Sequence, residues 1–206
     1  NCGVKLSNGV FATSDAPHRA RFRPEYWASS QTAPDLRFDT LAMNPLPSAD
    51  AMIAALGDWS GFQWSNEALD KRASDENWST EMRDEASLGS SEFQSEFARI
   101  VHGRQLLEED QGLHRAFSLM NKAMAHASRG KYDAWRPFQF AFLLANLKCL
   151  VETKTETEIV DVVWFATGGG KTETYLGLLI TAAFLDRLRG KLSGITAWSR
   201  FPLRML

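Results

Sequence analysis

Residues 168–172 read Gly-Gly-Gly-Lys-Thr, between a β-branched run at 159–165 and a long apolar stretch that begins at Lys171. The run at 159–165, broken only by Asp161, has the pattern of a strand buried on both faces of a parallel sheet. The stretch 171–189 carries Leu176, Leu178, Leu179, Ile180, Ala183, Phe184 and Leu185, and predicts a helix that Gly190 ends. Glycines at a strand-to-helix turn leave backbone N–H groups uncovered, so phosphate oxygens can approach, and the helix N-terminus adds partial positive charge. In that setting Thr167, Gly168, Gly169 and Gly170 would cradle the phosphates of ATP. Lys171 would reach the β- and γ-phosphates as the catalytic cation, and the Thr172 hydroxyl would ligate Mg²⁺. Phe165 stands where the strict form of such a turn has its first glycine, and the competing reading is a glycine-rich turn with an incidental Lys-Thr.

The text before this turn is of a different kind. Residues 1–50 are rich in Pro, Ser, Asn and Asp and predict loops, with one strand near 36–41. Residues 49–64 and 81–104 have helical apolar spacing, as in Phe93, Phe97, Ile100 and Val101. Leu113, Phe117, Met120 and Met124 extend the pattern into a helix over 106–128, which Gly130 ends. Pro137 then opens an apolar helix over 138–151, and residues 194–198 predict a second strand. The chain is thus expected to be α/β, with a mainly helical region over 1–131. Residues 132–206 would be the start of an ATP-binding domain, one β-α-β unit that breaks off.

Gln139 is the other residue with a chemical handle on a nucleotide. Its amide can donate to a ring nitrogen of adenine and accept from the exocyclic amine, with Phe138 beside it to cover the base. Against this stands Pro at the first position of a core helix, with Phe138 buried and Gln139 solvated.

Arg136-Pro137-Phe138-Gln139 together with Ala166-Thr167-Gly168-Gly169-Gly170-Lys171-Thr172-Glu173 resembles the Q-type motif and motif I of superfamily 2 helicases. That resemblance implies a P-loop (Walker A) site in a RecA-like domain, with Gln139 reading adenine. Residues 199–204 are similar in position to motif Ia, which contacts DNA, and Ser199, Arg200 and Arg204 are the residues implied for phosphate contacts. More narrowly, 135–147, 164–172 and 199–206 resemble the helicase component of DISARM-type bacterial phage-defence systems. Phe22-Arg23-Pro24-Glu25, Leu36-Arg37-Phe38, Asn44-Pro45-Leu46-Pro47 and Ala116-Phe117-Ser118-Leu119-Met120-Asn121 agree with it upstream. The resemblance implies ATP and Mg²⁺ as cofactors, with DNA and other subunits of a phage-defence complex as partners. An alternative from a different class is a nucleotide-binding regulatory switch that does not translocate.

Hydrolysis in such a motor needs an Asp-Glu pair after a later strand and arginines from a second domain. Asp75-Glu76 and Asp84-Glu85 precede the turn in polar text and read as surface carboxylates, so the chain as given is expected to bind nucleotide without turning it over. A hydrophobic share of 44% beside 23% charged residues describes a globular chain. Apolar stretches too short for a bilayer and two cysteines with no framework fit a cytoplasmic protein without a membrane span. The formal net charge of −2 does not advertise nucleic-acid binding, although Arg187, Arg189, Lys191, Arg200 and Arg204 cluster near the end. His102, His114 and His126 turn by about 120° from one to the next on a helix, so they share no face for a metal. Trp59, Trp64 and Trp78 read as core or interface aromatics.

Overall fold

The computed structural model describes residues 33–152 and 170–199. Its helices are α1 (Phe38–Met43), α2 (Leu46–Trp64), α3 (Asn66–Asp75), α4 (Thr80–Glu109), α5 (Gln111–Ser128), α6 (Pro137–Ala145), α7 (Lys148–Val151) and α8 (Lys171–Leu188). Among the described residues the sole extended pairing is one antiparallel bridge, Arg37 to Ala134. The described architecture is therefore all-α, which corrects the α/β, β-α-β expectation. Residues 159–165, the first strand of that unit, lie outside the described residues.

Residues 194–198 are described, and they form no strand. The reason is local. The Asp186 carboxylate accepts from Lys191 Nζ at 2.6 Å and Thr196 Oγ1 at 2.7 Å, and Lys191 Nζ also donates to the Ile195 carbonyl at 2.8 Å. These bonds curl the chain back over the end of α8 instead of letting it extend, and the donors, the Lys191 ammonium first and then the Thr196 hydroxyl, hold the Asp186 carboxyl below its ordinary range.

The core is built on α5. Leu113, Ala116, Phe117, Met120 and Met124 fall every three or four positions on one face and are buried, as that spacing requires. Asp110 separates α4 from α5. Its side chain accepts from the Leu113 N–H at 2.9 Å and caps α5, and it also pairs with Arg189 at 2.9 Å, tying the end of α8 to the start of α5. The single helix expected over 106–128 is thus two, because Asp110 has extended dihedrals and a capping carboxylate.

The predicted strand near 36–41 is instead the lead into α1 and its first turn. Asp35 accepts from the Arg37 N–H at 3.1 Å and from Thr40 Oγ1 at 2.9 Å, which fixes a carboxylate at the positive N-terminal end of the helix. The Arg37 guanidinium beside it holds the Asp35 carboxyl well below the usual range. Phe38 N–H donates to the Asp133 carbonyl at 2.8 Å and Trp135 N–H to the Leu36 carbonyl at 2.9 Å. The segment before α1 is thereby strapped to the segment before α6. Trp135 fills the junction, edge-on to Phe38 at 5.2 Å, with its indole N–H on Asn121 Oδ1 at 2.8 Å. Residues on both sides of 131/132 share this core, which includes Phe38, Phe117, Phe140 and Leu185.

Two glycines set how closely helices approach. A Cβ on Gly103 of α4 would stand 1.9 Å from the Leu144 carbonyl oxygen of α6, and one on Gly177 of α8 would stand 2.9 Å from the Trp135 ring. Away from this core, the C-terminal part of α2, α3 and the first part of α4 form an arm. All the buried residues of α4 lie at Ile100 or beyond, and α3 buries Leu69 alone. The arm is held by partly buried rings: Trp59 packs on Phe93 at 5.3 Å and on Trp64 at 6.4 Å, and Phe93 stacks on Phe97 at 6.0 Å.

Candidate functional site

The start of α8 is where the glycine-rich turn meets the described structure. Gly170 has φ +89° and ψ 22°, a left-handed conformation that L side chains rarely adopt, and it precedes the first helical residue. Lys171 is half-buried and Thr172 exposed, both in the first turn of an 18-residue helix. That turn presents unsatisfied backbone N–H groups and the positive end of the helix dipole. Thr167, Gly168 and Gly169 lie outside the described residues.

Gln139 sits in the first turn of α6 and is buried, only 5% exposed. The sequence places it there for a local reason: Pro137 at the first helical position and Gln139 two residues on let the amide reach back to the open N-terminus. Its Oε1 accepts from the Arg136 N–H at 2.8 Å, while its Nε2 donates to the Gly170 carbonyl at 2.8 Å. The two residues read separately from sequence are therefore in direct contact, 31 positions apart. Both polar ends of the Gln139 amide are engaged within the chain. A Cβ on Gly170 would come within 2.6 Å of Gln139 Nε2, so the contact, as well as the dihedral, selects glycine there.

Thr174, which sequence reading passed over, completes the arrangement. It is buried, and its hydroxyl donates to the Gly170 carbonyl at 2.9 Å alongside its own N–H at 3.3 Å. A threonine four residues after a turn glycine is the available signal, since such hydroxyls bond back to the i−4 carbonyl. Next to this, Ala127, Ser128, Arg129, Lys131, Tyr132 and Glu173 line a groove of about 430 Å³ between the end of α5 and the start of α8. Arg129 and Gly130 both have positive φ, at 50° and 76°, and turn the chain sharply to form its rim. Burial pushes the Tyr132 phenol up, and the Glu173 carboxylate adds to the shift. Among the residues with implied DNA contacts, Ser199 is exposed at the end of the loop after α8, some distance in sequence from the turn, and Arg200 and Arg204 lie outside the described residues.

No protein-family model matches the chain. The chain is 38% identical over 141 residues to the DISARM protein DrmA of Bacillus paralicheniformis (strain ATCC 9945a / NCIMB 11709 / CD-2). The match takes in 55% of this chain and 13% of that protein, so the chain spans a small fraction of the relative's length. This degree of identity supports a DISARM-related origin for the matched part of the chain. Among the described residues no helix is long and apolar enough to cross a membrane.

Proposed function

We propose that the chain supplies the ATP-binding turn of a DNA-directed, superfamily 2 helicase-type motor working within a multi-subunit phage-defence assembly. The observation that carries this reading is the bond from Gln139 to the Gly170 carbonyl. It joins the two segments whose pairing, Arg-Pro-Phe-Gln with Gly-Gly-Gly-Lys-Thr, underlies the helicase resemblance. The likeness to a DISARM protein supports the defence setting.

The residues present fit a nucleotide's phosphates. The left-handed Gly170 leads directly into the first turn of α8, whose N–H groups face outward, Lys171 supplies a cation there, and the exposed Thr172 hydroxyl is available to a hydrated divalent ion. Mg²⁺, when bound, would neutralise charge developing on the phosphoryl oxygens. Gln139 has a positioning role in this reading: it holds the carbonyl of Gly170 inward and so turns the following N–H groups toward the phosphates. Adenine recognition by the same amide requires it to exchange one of its two present partners. DNA contacts fall to Ser199 and to Arg200 and Arg204 beyond it.

The test is ATP hydrolysis by the intact protein, with and without single- and double-stranded DNA, beside Lys171→Ala. Turnover stimulated by DNA and reduced at least tenfold in Lys171→Ala is the expected result. Lysine-dependent turnover that ignores DNA would replace the motor with a nucleotide switch, and turnover indifferent to the lysine would remove the nucleotide site from α8.

A further inference from the structure

Charge is unevenly spread along the chain. Residues 66–96 hold nine carboxylates against three cations, whereas the remainder holds twenty cations against sixteen carboxylates. The arm is thus six charges negative, in a chain whose other residues sum to four positive charges. Two of its three cations are already engaged, Arg83 with Asp70 at 2.7 Å and Arg72 over the Trp78 ring at 5.6 Å, which leaves Lys71 as the arm's remaining positive charge. Among the described residues Glu67, Asp75, Asp84, Glu85 and Glu92 make no ion pair. Helical spacing sets Asp84, Glu85 and Glu92 around Leu88, an apolar side chain left 61% exposed.

The same arm carries an open groove of about 520 Å³ between α2 and α3. Gly57, Gly61, Phe62 and Ala68 line it, together with the carboxylates of Asp58 and Glu67 and the ammonium of Lys71. Phe62 is 78% exposed, and a Cβ on Gly61 would meet nothing within 4 Å. Open space at Gly61, an exposed aromatic ring and the net negative charge of the arm are complementary to an amphipathic helix that brings apolar anchors on one face and Lys or Arg beside them. Nucleic acid is the wrong partner for such a surface, since its phosphates would meet a region with nine carboxylates against three cations.

We propose that the α2/α3 groove, within the acidic arm, is the docking site for a basic amphipathic helix of a protein partner. Apolar anchors seat over Gly61 against Phe62, and the carboxylates steer the partner and fix its register. This surface is separate from the glycine-rich turn, and the inference does not depend on the nucleotide reading.

The experiment titrates the isotope-labelled full chain with a helical lysine–leucine amphipathic peptide, following backbone amide shifts. A glutamate–leucine peptide and duplex DNA are the comparison ligands. Saturable, salt-sensitive binding of the lysine peptide, with shifts centred on residues 57–71, is expected. Gly61→Trp, which fills the groove, should weaken it at least tenfold, and Gly61→Ala, which leaves it open, should not. Phe62→Glu gives a second readout of the apolar anchor if Gly61→Trp does not fold. Equal affinity in the filled and open variants would reduce the effect to unspecific charge attraction and overturn the proposal. Shifts of the same residues by DNA or by the glutamate peptide, or no binding of the lysine peptide, would overturn it as well.

Discussion

Two tryptophans in this chain have opposite hydrogen-bonding situations. The indole N–H of Trp135 donates to Asn121 Oδ1, whose own amide donates to the Phe117 carbonyl at 2.9 Å, so a polar chain is closed inside the core. Trp64 Nε1 is buried and, among the described residues, has no partner. A buried donor without an acceptor costs about 1–3 kcal/mol, as does an acceptor stripped of its donor. Trp135→Phe orphans Asn121 Oδ1 and should lower stability by about 1–3 kcal/mol. Trp64→Phe removes an unsatisfied group along with some apolar area and should stay within about 1 kcal/mol of the parent. Urea denaturation of the two variants checks the contrast, and equal losses would refute it.

Helix contacts here are decided by what is missing at two glycines. At Gly103 the backbone of α4 rests on that of α6, where a Cβ would overlap the Leu144 carbonyl. Gly103→Ala should therefore destabilise by about 2–3 kcal/mol, since overpacking outweighs the gain of about 1 kcal/mol in helix propensity. Gly61→Ala, in open space, should show the propensity gain alone, and thermal melts of the pair separate the two effects. The sequence made some elements plain and hid others for related reasons. The apolar faces of α5 and α8 were legible because Leu113, Phe117, Met120 and Met124, or Leu178 and Leu185, repeat at the helical period. α3 was missed because Leu69 is its only buried residue, and α1 because Leu36, Phe38 and Leu41 in so short a segment resemble alternation. Residues 194–198 looked like a strand through Ile195 and Trp198, yet both are exposed, and the contacts that curl the loop depend on Asp186 and Lys191, which lie outside the run. At the site, Gln139 and Lys171 could be singled out by motif, but their connection through the Gly170 carbonyl could not, because it is made across 31 positions.

Taken whole, the molecule divides into a dense part around α5 and a sparse arm. Local opening follows buried apolar contact, and Thr80–Arg99 contributes no buried residue. Amide hydrogen exchange should therefore proceed well ahead in residues 66–96 of its rate in residues 111–128, and uniform protection across both would contradict this division. In the dense part, one atom carries more than its share. The Gly170 carbonyl oxygen accepts from Gln139 Nε2, from the Thr174 hydroxyl and from the Thr174 N–H. A half-turned peptide at Gly170 would strand three donors, so the observed orientation is firmly held. Whatever reorients that carbonyl must release α6 and α8 together, which makes a single peptide plane the smallest moving part through which the two helices can be thrown at once.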